Sequence, residues 1–277
     1  MLATKLSAFA VALSLLASCS RDPKPGTARA ATVGKLRIQA MSDTLFHART
    51  FGFDTYEHLE FSSDIGVKRT FDGVRRVWVR RPDSLFFELH GDGTSRVELA
   101  AFYNGKSVSL SHSLVKVWSQ IPMPGGIDNM LDEVTDKFGL PIPIGDFLYT
   151  HPYDSFLSKA SKGGFVGRER IDGVDYMKLE YTDEFIVVRL WLPDTEDPLP
   201  RRYELTLRKL PGQPQSRIEF MNWRVDIEVP SVTFAFQPPA GYTQIPFREF
   251  AAALTSSTPL AILSATAADT KADRLQP

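Results

Sequence analysis

Asp54, Tyr56, His58 and Glu60 stand two residues apart. On an extended strand, alternate residues share a face, so two carboxylates and an imidazole would lie side by side, a donor set suited to a divalent cation. Glu88 and His90 repeat the pattern in miniature. No second histidine stands at ligand spacing on a neighbouring segment, so a solvated outer strand face is the plainer reading of both groups. His151-Pro152-Tyr153-Asp154 reads as a turn, where His and Asp commonly cap and bend the chain. Gly163-Gly164-Phe165-Val166-Gly167 precedes a strand and lacks the Lys-Ser/Thr of a phosphate loop. No Gly-x-Ser-x-Gly elbow occurs. These absences lead to the expectation of a protein that is not an enzyme and uses no metal and no cofactor. The single cysteine, Cys19, rules out an internal disulfide and a thiolate zinc site.

The surroundings of Cys19 suggest what it is for. One positive charge, Lys5, precedes the uncharged run Leu6 to Leu16. That run is too short to span a bilayer, which takes roughly twenty apolar residues, but it suits the core of a signal peptide. Leu16-Ala17-Ser18-Cys19 follows, and it resembles the lipobox of bacterial lipoproteins. The resemblance implies a signal peptide over residues 1–18, cleavage before Cys19, a diacylglycerol on its thiol and acylation of the new amino terminus. An ordinary secretory signal with an incidental cysteine is the alternative. In two-membraned bacteria, Ser20 in place of the aspartate that commonly retains such proteins at the inner membrane implies the outer membrane. Arg21 to Ala31 is rich in proline, glycine and small residues, so residues 19–32 read as a flexible tether.

Beyond the anchor, the composition is nearly neutral, with 32 Lys and Arg against 33 Asp and Glu. A nucleic-acid partner would require a clear basic excess, so none is expected. After Cys19 no uncharged run approaches bilayer length. An exported chain without disulfides must hold itself together by packing, and an aromatic content of 11% suits broad β surfaces. A monomer tethered to the membrane and reaching into the periplasm is the expected form.

The elements follow from periodicity. Apolar positions 38, 41 and 45, with 48 following, put a helix over 33–48. Period-two segments then recur: 51–61, 67–71, 74–80, 85–90, 96–103, 108–112 and 115–121. Asp72-Gly73 and Asn104-Gly105 stand between neighbouring runs as hairpin turns. Ile127 to Phe138 has apolar residues at 127, 130, 131, 134 and 138, an amphipathic helix stopping at Gly139. Pro141-Ile142-Pro143-Ile144-Gly145 is a rigid connector, and residues 146–159 read as short helices broken at Pro152. Strands resume at 165–171, 174–181, 185–192, 201–209 and 217–225, and Phe234 with Phe236 begin a last one. Residues 33–247 thus form one domain. In the tail over 248–277, residues 248–254 suit a short helix and 264–277 suit disorder.

About eleven antiparallel strands interrupted once by helices cannot stay flat, because native twist curls such a sheet. The expected fold is mostly β with α (α+β), a single strongly curved antiparallel sheet forming an incomplete barrel with helices in its concave side. Alternation assigns Val77, Val79, Leu85, Phe87, Leu89, Leu99, Leu190, Leu205 and Leu207 to one face of their strands. That face is either core or the lining of an apolar cavity, and Trp78, Trp118, Trp191 and Trp223 carry the same ambiguity.

Six segments in order then become familiar: RRPDSLFFELHGDG (80–93), AFYNGKSVSL (101–110), Gly126–Asp146 ending LPIPIGD, DPLPRRYELTL (197–207), FMNWRV (220–225) and VTFAFQPPAGYTQIPF (232–247). Together they resemble the domain of unknown function 2092 family of predicted periplasmic proteins, over roughly residues 35–247. That family is thought to look like the lipoprotein carriers LolA and LolB, an incomplete barrel with helices plugging its mouth and a hydrophobic cavity for acyl chains. The resemblance implies a lipid or lipoprotein ligand. The same fold appears in regulatory domains such as that of RseB, which leaves a structural or sensory docking protein as the alternative.

Overall fold

The computed structural model describes residues 22–62, 68–91, 97–140, 142–159 and 162–257. Its centre is one sheet of twelve strands: β1 (Thr50–Ser62), β2 (Lys68–Arg80), β3 (Ser84–Gly91), β4 (Val97–Asn104), β5 (Ser107–His112), β6 (Val117–Pro122), β7 (Lys162–Ile171), β8 (Val174–Thr182), β9 (Ile186–Pro193), β10 (Arg202–Leu207), β11 (Gln215–Val225) and β12 (Thr243–Gln244). The order across the sheet is β12-β6-β5-β4-β3-β2-β1-β11-β10-β9-β8-β7. Two antiparallel meanders, β1 to β6 and β7 to β11, are therefore zipped together where β1 pairs with β11. The sheet is open, with β12 and β7 at its two edges.

This order fixes the place of the helices. Between β6 and β7 the chain crosses from near one edge to the other, carrying α2 (Ile127–Phe138) and α3 (Pro152–Lys159). Their apolar faces, with α1 (Ala28–His47) and α4 (Phe247–Ser257), join the inner residues of the strands in one buried cluster. α2 lies where periodicity puts it. Its last residue is followed by Gly139 at φ 65°, the left-handed conformation that ends a helix and that glycine adopts without a Cβ clash.

Several expectations need correction. α1 starts at Ala28 and is capped by the Thr27 hydroxyl, which accepts from the Ala30 amide. The chain is docked earlier still: Arg168 binds both carboxylate oxygens of Asp22, and Pro23 is buried. A tether extending to residue 32 is therefore replaced by fold from Asp22 onward. Asp72-Gly73 makes no hairpin. β2 runs straight through it, because each of its residues from Lys68 to Arg80 has a partner on the thirteen-residue β1. Asp72 serves instead as acceptor for Tyr56 Oη and partner of His58 Nδ1 on that neighbour.

Phe234 and Phe236 begin no strand. Phe234 closes a 3₁₀ turn (Ser231–Phe234), buried beneath the Arg80 guanidinium. Phe236 lies against Phe102 and Trp118 on the outer face. A strap thus crosses the back of the sheet and ends in β12, which pairs parallel with β6. The expected tail is helical from Phe247 to Ser257, with Phe247, Phe250, Ala251 and Leu254 buried. Cys19, the signal segment and 264–277 lie outside the described residues.

Candidate apolar pocket and the polar groups beside it

Odd-numbered residues of β1 to β4 point inward, and Val108 and Leu110 of β5 join them opposite Tyr103 and Ala101. Phe51 and Phe53 on β1 stand opposite Val79 and Val77, which face Leu85 and Phe87, which in turn face Tyr103 and Ala101. Against this face, between β2–β5 and the helices, lies a small pocket of about 50 Å3. Its walls include Leu85, Phe87, Leu99 and Ala101 from the sheet, Met130 and Val134 from α2, and Leu254 from α4. Room of that size takes a few methylenes, since a cavity of roughly 150 Å3 is needed for a benzene ring.

Of the nine residues expected to face a cavity, Leu85, Phe87 and Leu99 line this pocket. Val77, Val79, Leu89, Leu190 and Leu207 are buried in the core, with Leu205 half-buried against it. The helices fill the remainder of the trough. Leu190 and Leu205 lie in the other meander, where the inner face meets Phe147, Phe156 and Tyr203 in a cluster of edge-to-face rings. None of the four tryptophans touches the pocket. Trp223 packs on Phe51, Phe53 and Phe220, Trp118 sits under Phe236, and Trp78 and Trp191 lie beneath arginines. Trp191 also donates its indole N–H to Glu169.

One charged side chain reaches the pocket. Arg75 is 2% exposed, yet lies on the inner face among aliphatic neighbours. Its Nε and Nη2 donate to the two oxygens of Glu57 at 2.7 and 2.9 Å, and its guanidinium covers the Phe87 ring at 4.8 Å. Glu57 is fully buried and accepts a third bond from Thr55 Oγ1 at 3.0 Å. Desolvating such a pair is costly, and only the bidentate geometry with its extra hydrogen bond offsets that cost. Sequence reading passed over both residues. The signal was there: Thr55 and Glu57 interrupt the inward series Phe53…Leu59, and Arg75 interrupts Phe71…Val77.

On the outer face Asp54, Tyr56, His58 and Glu60 do share one side of β1, but each is engaged with protein groups. Asp54 binds Arg76, Arg224 and Asn222. His58 and Tyr56 both reach Asp72, and the His58 bond is the first cause that lowers the Asp72 pKa. Glu60 accepts from the Gln215 amide. Glu88 bridges Arg76 and His90. No group of three metal-ligating side chains forms among the described residues. His151 stacks on Phe46 at the start of α3. Gly163 and Gly164 have a packing role, since a Cβ would come within 2.1 Å of the Glu180 carbonyl and within 2.5 Å of the Ala30 carbonyl of α1, respectively.

The chain belongs to the family described as "Predicted periplasmic protein (DUF2092)", whose model matches residues 34–248. No curated protein matches it. Solved structures resemble it distantly. An uncharacterized conserved protein from Thermus thermophilus is 9% identical over 76% of this chain and 98% of that one, with a TM-score of 0.46. A LolA superfamily protein from Nitrosomonas europaea is 14% identical over 74% and 99%, with a TM-score of 0.37. The MucA/MucB complex of Pseudomonas aeruginosa matches at 14% identity over 74% of this chain and 61% of that one, with a TM-score of 0.41.

Proposed function

We propose that this is a non-catalytic envelope protein that takes an apolar chain, a lipid or the acyl group of a lipoprotein, between its curved sheet and the helices inside it. Acyl groups on Cys19 hold it to the periplasmic face of the outer membrane. The pocket under α2 and α4 carries this reading, because its walls are aliphatic and aromatic and burial of methylenes there needs few directional groups. In the closed state the pocket admits only the end of a chain. α4 is the element to move, since it borders the pocket through Leu254 and follows the strap at the end of the described chain.

Titration of purified Cys19→Ser protein with a fluorescent acyl probe tests the reading. Saturable enhancement displaced by an unlabelled acyl chain is expected; a flat titration with correctly folded protein would rule the pocket out.

A second reading is favoured by the six expected cavity residues that are core. With the trough largely filled, the molecule serves as a scaffold that docks another envelope protein. Reproducible cross-linking in cells to one protein partner, without bound lipid, is the outcome it requires.

A further inference from the structure

From the buried pair beside the pocket we infer that the site selects apolar ligands carrying an uncharged carbonyl, such as an acyl ester, over free fatty acids. This inference rests on the pocket reading above and adds the class of head group.

The argument is one of charge and donors. Arg75 is the only charged side chain among the described lining residues and is almost wholly removed from water. Two of its nitrogens, Nε and Nη2, are committed to Glu57, and Nη1 donates to no protein group among the described residues. A guanidinium has five N–H donors and no acceptor, so the pocket offers a donor for a ligand oxygen. Its charge, however, is already balanced. Glu57 approaches through both oxygens and is itself buried, so an incoming carboxylate would leave two negative charges against one positive in a low-dielectric site. An ester carbonyl accepts the free N–H and adds no charge. The Glu57–Arg75 pair thus serves as a neutral hydrogen-bond donor with a fixed direction, held in place by Thr55 below and the Phe87 ring beside it. Simple apolar burial would not distinguish a carbonyl from a thioether, whose sulfur is only a weak acceptor, and a lone arginine would prefer the carboxylate. The pair predicts a third order of preference.

The test uses three probes of matched chain length, methyl octanoate, octanoic acid and methyl octyl thioether, measured for equilibrium binding to the Cys19→Ser protein at neutral pH. The ester is expected to bind about tenfold tighter than the thioether, one hydrogen bond's worth, and tighter again than the acid. Affinity for the acid should rise as pH falls and its neutral form is populated, while that for the ester stays level. In Glu57→Gln the uncompensated Arg75 should reverse the order, with the acid above the ester. Because that variant strands a buried charge at a cost to folding, the volume-matched Glu57→Leu/Arg75→Met double variant provides a second measurement: ester and thioether should bind it alike. Equal binding of ester and thioether to the unmutated pair, or an acid that binds tightest at neutral pH, would overturn the inference while leaving the apolar pocket standing. Failure of all three probes would remove the pocket reading and the inference with it.

Discussion

Glu57 and Arg75 show why single residues decide this site. They sit on adjacent strands among inward-facing apolar side chains, at 0% and 2% exposure. Removing one partner leaves the other charged and dry. Arg75→Ala should therefore cost about 3–5 kcal/mol in denaturant unfolding, whereas the Glu57→Leu/Arg75→Met pair should cost far less or stabilise; equal losses would show that the pair is not desolvated. On the outer face the histidine behaves differently. His58 holds the Asp72 carboxylate below its usual pKa, with Tyr56 assisting and burial opposing. A depressed carboxylate contributes stability that is fully present above its unfolded pKa, near 4, and is lost as pH falls through the lower folded value. Replacing His58 with alanine should raise the Asp72 pKa towards that of a free aspartate in an NMR titration, and an unchanged value would remove His58 from the account. Much of this scale was legible in advance. The alternation at 54–60 placed four polar side chains on the outer face, while the inward pair at 57 and 75 was missed because two isolated charges in an apolar series are easily read as exceptions.

Among the elements, glycines set how closely α1 approaches the sheet. A Cβ on Gly34 would lie 2.7 Å from the Gly164 Cα and from Tyr181 Oη, and one on Gly164 would lie 2.5 Å from the Ala30 carbonyl. Helix and edge strand therefore meet backbone to backbone. Gly34→Val should lower the melting temperature by an amount matching at least about 1–3 kcal/mol of overpacking, with Gly145→Ala, which meets nothing closer than 3.7 Å, as the neutral control. A Gly34→Val protein as stable as the control would mean that α1 packs less closely. Element types were largely readable, because α2 and the Asn104-Gly105 turn obey local rules. The errors came where long-range pairing overrode a local signal: Asp72-Gly73 is kept extended by β1 on one side and β3 on the other. The strap and the parallel β12 were hidden for the same reason. A two-residue strand has no period, and its partner β6 lies more than a hundred residues away.

At the scale of the whole molecule, the join of two meanders at β1 and β11 leaves both sheet edges open and a trough with helices in it. The curved sheet was expected from strand count and helices in its concave side were expected with it, but whether they fill the trough was left open, because periodicity tells which face is apolar and not what covers it. Docking of Asp22 on Arg168 also bears on the anchor. Only three peptide units separate Asp22 from Cys19, about 11 Å of extended chain. If Cys19 carries acyl chains, the end of the molecule bearing Arg168 rides close to the bilayer. Changing Cys19 to alanine should move the protein from the membrane to the soluble fraction, and persistent membrane fractionation would contradict the anchor. The central claim, that the trough receives an apolar chain, is tested most directly by mass spectrometry of lipids retained by Cys19→Ser protein purified natively from its host, beside the same protein carrying Leu254→Trp to fill the pocket. An acyl-containing lipid near one per protein, lost on filling, is the predicted result; no lipid in either, or equal lipid in both, would contradict it.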